Sequence, residues 1–168
     1  MTITAVTFAF QGYAELWKVA CELEKIEALN FGSSGFRSDF IADELTRRSG
    51  VAVLLLDDGK VVGYTAAMSA KEAYTLDPHY YGRDFDQAAY ISNSSIHPDY
   101  QHKRYIWLMM DMLEEGLRQK GYLFLDRDTK SDLGYADKVI SHYGKRVVFA
   151  NQPELTMWGF QRYIRISL

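Results

Sequence analysis

Polar and basic side chains separate a strand-like segment from a helix-like segment in the middle of the chain. Residues 88–96 begin as a β-branched and aromatic strand, and an amphipathic stretch runs from about residue 104 to residue 120. A helix N-terminus offers free N–H groups and the positive end of its dipole to an anion. We therefore predict a phosphate-binding turn between the two segments. Its residues are Gln101, His102, Lys103, Arg104, Tyr105 and Ile106.

Two strand-like segments carry side chains that can move a proton. Period-two alternation places Tyr90, Ser92 and Ser94 on one strand face, where Tyr90 or Ser92 could relay a proton through water. Asp126 and Asp128 alternate onto one face at the C-terminal end of the next strand. A carboxylate in a partly dry cleft attracts an ammonium and can take its proton. The alternative is that both acids are solvated strand-end or helix-capping groups.

Length and composition narrow the class of protein. A chain of 168 residues predicts a single domain over residues 1–168, and its net charge of −3 disfavours nucleic acid as a partner. No apolar run approaches the roughly 18–20 residues that span a bilayer, so we expect no membrane association. The lone Cys21 cannot form an internal disulfide, which favours the cytoplasm. Four dispersed histidines without a Cys-x-x-Cys motif predict no metal site.

The predicted elements follow the order β-α-α-β-β-β-α-β-α-β-β. This order predicts an α/β (α+β) fold with a mixed, mostly antiparallel central sheet and helices on both faces. Residues 71–87 are predicted to form a long loop near the site, whose Tyr74, Tyr80 and Tyr81 are either a substrate lid or loop anchors. The predicted strands are residues 2–10, 51–56, 61–68, 88–96, 123–128, 147–150 and 155–166. The predicted helices are residues 13–29, 38–48 (capped by Ser38 or Asp39), 104–120 and 131–144.

Three short motifs resemble the GCN5-related N-acetyltransferase (GNAT) superfamily. Residues 61–64 (VVGY) are similar to the family's third-strand motif, and residues 96–101 (IHPDYQ) to its V-h-P-x-y-q/r step. Residues 143–148 (YGKRVV) line up with its Y-e-k-l-G-F motif. The order of elements also agrees with this family over nearly the whole chain. The resemblance implies the GNAT fold, in which two central strands splay apart.

The resemblance implies acetyl-CoA as co-substrate. Pantetheine would pair with the backbone of Ser94, Ser95 and Ile96, and the pyrophosphate would bind the turn at residues 101–106. The turn departs from the family's Gln-x-x-Gly-x-Gly/Ala loop, because Arg104 and Ile106 replace both glycines. The Arg104 guanidinium and the Lys103 ammonium could instead bind the phosphates.

The resemblance also implies a role for Tyr143. It matches the family tyrosine that protonates the departing CoA thiolate, and the alternative is that it only packs under the sheet. In the same region, Val147 stands where the family has glycine and Ala136 where it often has asparagine. None of Tyr90, Ser92 and Ser94 is a carboxylate or a histidine, so the identity of the general base stays open.

We therefore expect an N-acyltransferase that moves an acetyl group from acetyl-CoA to a primary amine by direct attack in a ternary complex. A small-molecule amine is favoured as acceptor, a peptide or protein amine is the alternative, and a homodimer remains open. Two other functions are also open. One is a GNAT-fold binding or structural module without acyl transfer, and the other is a GNAT-like enzyme with another CoA- or nucleotide-linked donor.

Overall fold

The chain contains strands and helices interspersed along its length. The computed structural model describes residues 2–76, 85–131, 134–156 and 159–168, which contain eight strands and five α-helices. The first half comprises β1 (Ile3–Thr7), α1 (Tyr13–Phe31), α2 (Ser38–Thr46), β2 (Val51–Asp57), β3 (Lys60–Ser69) and α3 (Ala70–Leu76). The second half comprises β4 (Ala88–Ile96), α4 (Tyr105–Gln119), β5 (Phe124–Lys130), α5 (Tyr135–Tyr143), β6 (Val147–Ala150), β7 (Glu154–Thr156) and β8 (Gly159–Ser167).

The strands form one mixed sheet in the order β1-β2-β3-β4-β5-β8-β6, and β7 pairs with β8. The β4–β5 pair is parallel and places Ala88–Tyr90 beside Phe124–Asp126. The pairs β1–β2, β2–β3, β5–β8, β6–β8 and β7–β8 are antiparallel. Parallel neighbours need a crossover connection, which α4 supplies between β4 and β5. The predicted mixed, mostly antiparallel sheet is confirmed.

The chain divides into two compact units. The first unit contains residues 1–68 and 92–117, and the second contains residues 69–91 and 118–168. Strand β4 contributes Ala88–Ile91 to the second unit and Ser92–Ile96 to the first. Within the described part of the chain, no helix is long and apolar enough to cross a membrane.

The core of the first unit lies between α1, α2 and strands β2 and β3. A helical stripe on α1 is buried because its apolar residues recur at intervals of three and four. It packs with Ile41 and Leu45 of α2 and with Tyr64 of β3. The buried α1 stripe consists of Leu16, Val19, Ala20, Leu23 and Ile26. The periodicity of this segment predicts the helix correctly.

In the second unit, β8 pairs with all seven residues of β5, from Phe124 opposite Ser167 to Lys130 opposite Gln161. Helix α5 buries Ala136, Val139 and Tyr143. A smaller apolar cluster contains Ala70, Ala88 and Tyr163, with Phe85, Tyr90 and Phe124 packed against it. The register of the β5–β8 pair decides which side chains of these two strands lie beside each other.

The predicted loop at residues 71–87 is wrong in its first part, because α3 covers Ala70–Leu76. The Ser69 side chain caps the start of this helix and is also bonded to the Glu72 side chain. The Glu72 N–H donates to Ser69 Oγ at 3.1 Å, and Ser69 Oγ donates to Glu72 Oε2 at 3.2 Å. The predicted lid residues Tyr80 and Tyr81 lie outside the described residues.

Two further predictions need correction. Neither Ser38 nor Asp39 caps α2, since Arg37 occupies the N-cap position and makes no side-chain cap. Glu24 of α1 satisfies this helix end instead, because its Oε2 accepts from the Ser38 N–H at 3.0 Å. The predicted strand at residues 155–166 is two strands, β7 and β8, and Gly159 has a positive φ of 94° where β8 begins.

Candidate functional site

The predicted phosphate-binding turn links β4 to α4 in the first unit. A short 3₁₀ turn covers Pro98–Tyr100, and α4 begins at Tyr105. Between them His102 has a φ of 61° and Arg104 a φ of 64°, both in the left-handed region. For a residue with a Cβ this conformation costs about 1 kcal/mol. Arg104 thus adopts a backbone conformation that glycine adopts more readily, at a position where the family motif has glycine.

The side chains of the turn are divided between solvent and protein. His102, Lys103 and Arg104 are exposed, and the Lys103 ammonium lies 5.5 Å from the centre of the Tyr100 ring. Tyr105 and Ile106 in the first turn of α4 are half-buried. The turn therefore presents its basic side chains to solvent directly before a helix N-terminus, as an anion-binding site requires.

Gln101 holds the turn onto the end of β4. Its Nε2 donates to Asn30 Oδ1 at 2.8 Å and to the Ile96 carbonyl at 2.9 Å. Asn30 Nδ2 in turn donates to Ser95 Oγ at 2.7 Å and to the same carbonyl at 3.0 Å. The sequence analysis missed Asn30, because nothing in a helical stretch marks one asparagine as a partner of a strand 65 residues away.

Of the three residues predicted to pair with pantetheine, Ser94 has a polar environment of its own. Its Oγ lies 2.7 Å from Thr65 Oγ1, and its N–H donates to Asn93 Oδ1 at 2.7 Å. Ser95 is buried and Ile96 half-buried. Side chains of β3 and β4 thus fix the conformation of the strand end that leads into the turn.

Three predicted catalytic residues gather around Arg127 in the second unit. Tyr90 Oη donates to Asp128 Oδ2 at 2.9 Å. Burial lowers the pKa of the Arg127 guanidinium, whereas the nearby Tyr143, Tyr90 and Asp128 act in the opposite direction. Arg127 Nε donates to Thr129 Oγ1 at 2.9 Å, while its buried Nη1 has no hydrogen-bond partner among the described residues. The half-buried Arg127 guanidinium therefore lies close enough to Tyr90, Tyr143 and Asp128 to interact with them electrostatically.

Tyr143 ends α5 and is buried, with 5% of its surface exposed. The Arg146 guanidinium lies 5.2 Å from the centre of its ring, and the His142 ring packs against it edge-on at 5.0 Å. Two cationic guanidinium groups, Arg127 and Arg146, thus lie near this phenol. The sequence analysis missed both arginines, since neither belongs to a motif.

Asp126 is placed differently from Asp128. It is fully buried, and its two oxygens accept from Arg165 Nε and Nη2, each at 2.7 Å. Arg165 lies directly opposite it on β8. Both oxygens of Asp126 are thus bound in a bidentate ion pair. Asp128, in contrast, accepts a hydrogen bond from the Tyr90 hydroxyl.

Ser92, the remaining predicted residue, contacts a carboxylate that the sequence analysis missed. Its Oγ donates to Glu44 of α2, which is 3% exposed. A signal was available, because Glu44 follows Ile41 by three residues and so shares the buried stripe of the helix. Among the described residues, no group of three or more histidine, cysteine, aspartate or glutamate side chains could hold a metal ion.

Several solved structures that resemble this chain in fold are described as acetyltransferases. The chain is 14% identical to yncA from Salmonella typhimurium, solved with its cofactor acetyl-CoA, covering 99% of this chain and 94% of that one with a TM-score of 0.68. It is 12% identical to the aminoglycoside 6'-N-acetyltransferase of Enterococcus faecium, covering 99% and 97%, TM-score 0.62. It is 14% identical to the ribosomal-protein-S18-alanine N-acetyltransferase of Escherichia coli, covering 99% and 93%, TM-score 0.63.

Sequence comparison gives the family. No curated protein matches the chain by sequence. The family model described as the acetyltransferase (GNAT) family matches residues 16–136, more than half of the chain. This segment includes strand β4, the turn at residues 101–104 and helix α4, which together form the candidate phosphate-binding site. The chain therefore belongs to the GNAT family of acetyltransferases.

Proposed function

We propose that this protein is an acetyl-CoA-dependent N-acetyltransferase that acts on a primary amine. The observation that carries the proposal is the backbone of Arg104, which has a left-handed φ of 64° at a position where the family loop has glycine, the residue that adopts this conformation most readily. A degenerate loop that had lost its ligand would have no reason to keep this conformation at a cost in free energy. The family match over residues 16–136 supports the same conclusion.

The residues of the first unit that would hold CoA fit its chemistry. A pyrophosphate needs N–H donors and positive charge, which the first turn of α4 and the exposed Lys103 and Arg104 supply. His102, also exposed, directly precedes these two cations in the turn. The backbone of Ser94, Ser95 and Ile96 is the strand segment expected to pair with pantetheine. Acetyl-CoA supplies the acetyl group as an activated thioester.

The residues of the second unit would handle protons and the acceptor. We assign Tyr143 as the acid for the leaving thiolate, since a phenol has a pKa of roughly 10, near that of a thiol. The neighbouring Arg127 guanidinium, which interacts electrostatically with Tyr143, would stabilise the phenolate that is left after the proton is transferred. We assign the Asp128 carboxylate, which accepts a hydrogen bond from Tyr90, to attract the cationic acceptor electrostatically. Asp126 holds Arg165 and supports this strand.

The acceptor is proposed to be a small molecule, with a peptide amine as the alternative. Structures that share the fold include an enzyme for an aminoglycoside and an enzyme for a ribosomal protein, so both classes of amine are represented. The negative charge of Asp128, the hydrogen-bond partner of Tyr90, favours a cationic acceptor over a neutral one. The free, exposed thiol of Cys21 accords with the reducing cytoplasm, where we place the protein.

Calorimetry with acetyl-CoA tests the proposal. The variant Arg104→Glu reverses the charge beside the helix N-terminus and should weaken binding by about tenfold or more, which is about 1.4 kcal/mol. The matched control is Arg118→Glu, the same charge change in the last turn of α4, which should leave the affinity unchanged. The wild-type affinity should also fall as salt is added.

Turnover separates the proposed function from its alternatives. Wild-type protein should acetylate at least one member of a panel of primary amines and amino-terminal peptides. Failure to bind acetyl-CoA would point to a GNAT-fold module without acyl transfer. Binding of CoA without transfer of an acetyl group would point to another CoA-linked donor. An Arg104→Glu variant with wild-type affinity would show that the turn is not the pyrophosphate site.

A further inference from the structure

In the first unit, the buried carboxylate of Glu44 contacts the hydroxyl of Ser92, and the proposed function gives neither residue a role. Glu44 lies on the buried face of α2 with Ile41 and Leu45. One of its oxygens, Oε2, accepts a hydrogen bond from Ser92 Oγ of β4. The other, Oε1, accepts from Arg47 Nη2 at 3.0 Å. Ser92 itself is half-buried, whereas Glu44 is 3% exposed.

The Ser92 hydroxyl can donate its hydrogen bond to either of two acceptors. Its Oγ lies 3.2 Å from the Ala66 carbonyl as well as within hydrogen-bonding distance of Glu44. When Glu44 is ionised, the hydroxyl donates to the carboxylate. When Glu44 is protonated, the acid donates to Ser92 Oγ, and the hydroxyl proton turns to the Ala66 carbonyl. Both states leave every buried group hydrogen-bonded, so a proton can move along this path without leaving an unsatisfied group.

Glu27, the other buried glutamate of α1 and α2 beside β4, differs in this respect. Its Oε1 accepts from Tyr64 Oη at 3.2 Å and from Asn93 Nδ2 at 3.1 Å. Its Oε2 accepts from the Phe36 N–H at 3.3 Å. The Asn93 and Phe36 amides cannot receive a proton and pass their own onward. The Tyr64 hydroxyl is fully buried, unlike that of the half-buried Ser92, so it offers no comparable path from Glu27 to a bound amine. Glu27 is therefore a structural counterpart to Glu44 of similar burial.

The charges around Glu44 favour a proton acceptor. Burial raises its pKa above the usual value, and Asp43 acts in the same direction, while Ser92 and Arg47 lower it. From β3, the neutral phenol of Tyr64 faces the same region, and its pKa is raised by burial, by Glu27 and by Glu44. A carboxyl group whose pKa lies closer to neutral holds a transferred proton better than an exposed one.

We propose that Ser92 and Glu44 form a proton relay for the acceptor amine, an inference that rests on the proposed acetyl transfer. Ser92 contacts the ammonium, and Glu44 acts through it as a positioning residue. One N–H bond of the ammonium breaks and its electron pair stays on nitrogen as the lone pair that attacks. The proton forms a bond to Ser92 Oγ, and the hydroxyl proton moves to Glu44 Oε2. No oxidant or reductant takes part.

The pH dependence of the rate tests the relay. We compare kcat/KM for the amine between about pH 5 and 9 in wild type, Glu44→Gln and Glu44→Asp. Glu44→Gln should lower kcat/KM near neutral pH by about 100-fold and remove the rise in rate on the acidic side. Glu44→Asp should keep that rise at a shifted pH. Acetyl-CoA affinity should stay at the wild-type value in both variants.

Glu27→Gln is the matched control, because it neutralises a carboxylate of similar burial that is not bonded to Ser92. It should lower the melting temperature and leave the shape of the pH profile unchanged. A Glu44→Gln enzyme with the wild-type profile would overturn the relay and leave the proposed function standing. A wild-type protein that acetylates no amine would overturn the proposed function, and the relay with it.

An NMR measurement on the free protein tests the relay without any turnover. With ¹³C-labelled glutamate, the Glu44 carboxyl carbon should titrate above its usual pKa of 4.5. The variant Ser92→Ala removes a hydrogen bond to the ionised form, so it should raise that pKa further. A Glu44 signal that titrates in the ordinary range, or that Ser92→Ala leaves unchanged, would overturn the relay. This readout also decides the matter if the Glu44 variants do not fold.

Discussion

The variant Asp126→Asn should destabilise the protein strongly. Asp126 is fully buried, and it meets Arg165 through two hydrogen bonds of 2.7 Å each. The Arg165 side chain is 9% exposed, and its guanidinium lies 5.2 Å from the centre of the Phe124 ring. The hydrogen bond with Asp126 raises the pKa of this guanidinium. A guanidinium stays protonated at ordinary pH even without such a partner, so Arg165 remains charged when Asp126 is neutralised.

The expected size of the effect follows from this geometry. Removing one partner of a buried ion pair costs about 3–5 kcal/mol, because the other charge remains buried without compensation. Asparagine keeps the shape of Asp126 and one hydrogen-bond acceptor, which places the expected loss near the lower end, about 3 kcal/mol. For a chain of this length each kcal/mol shifts the melting temperature by about 2–4 °C, so a fall of roughly 6–12 °C is expected.

Urea and thermal unfolding measure this loss, and two comparisons frame it. The surface pair of Asp137 and Arg162 is the control, because its Nη1–Oδ1 distance is 3.4 Å and the Asp137 side chain is 81% exposed. Asp137→Asn should therefore change the free energy of unfolding by less than about 1 kcal/mol. The double variant Asp126→Leu with Arg165→Met should be more stable than Asp126→Asn, because it removes both buried charges.

A small effect would refute this reasoning. If Asp126→Asn unfolds within about 1 kcal/mol of wild type, the ion pair is not the main stabilising contact of this strand pair. If the variant is stable and its KM for the acceptor amine rises, Asp126 attracts the cationic acceptor, and the assignment of that role to Asp128 is wrong. Measuring stability and acceptor KM on the same preparation separates the two results.

Three further outcomes are expected. Tyr143→Phe should lower kcat by at least about tenfold with little change in the KM for acetyl-CoA; lost stability with normal kcat would show a packing role. Gly63→Ala should destabilise by about 2 kcal/mol in thermal unfolding, because a Cβ there would lie 2.8 Å from the Ser95 carbonyl oxygen, which is backbone and cannot move aside. Burial raises the pKa of Glu44 above 4.5, so the folded state holds this proton more tightly than the unfolded state. The stability that this group contributes is therefore lost as pH rises from about 4.5 through the folded-state pKa, and Glu44→Gln should flatten that decline in urea unfolding measured across pH.

The sequence alone predicts the elements whose patterns are local. Strand β4 begins and ends where its alternation and flanking residues predict, at Ala88 and Ile96. Helices α1 and α4 follow from apolar residues at intervals of three and four, because a helix buries one face along its whole length. The turn at residues 101–104 follows from the same strand-to-helix transition. The cap of α3 is equally local, because the S-x-x-E pattern at residues 69–72 predicts a helix start at Ser69.

Tertiary structure alone decides which side chains meet. Asp126 and Asp128 are equivalent in the strand pattern, and only the register of β8 places Arg165 opposite Asp126. Ser92 meets Glu44 across 48 residues of sequence, a pairing that depends on how α2 packs. The left-handed backbone of Arg104 leaves no mark in the sequence, since arginine does not favour that conformation. Periodicity is a property of neighbouring residues, whereas the partner of a buried charge is set by the packing of distant elements.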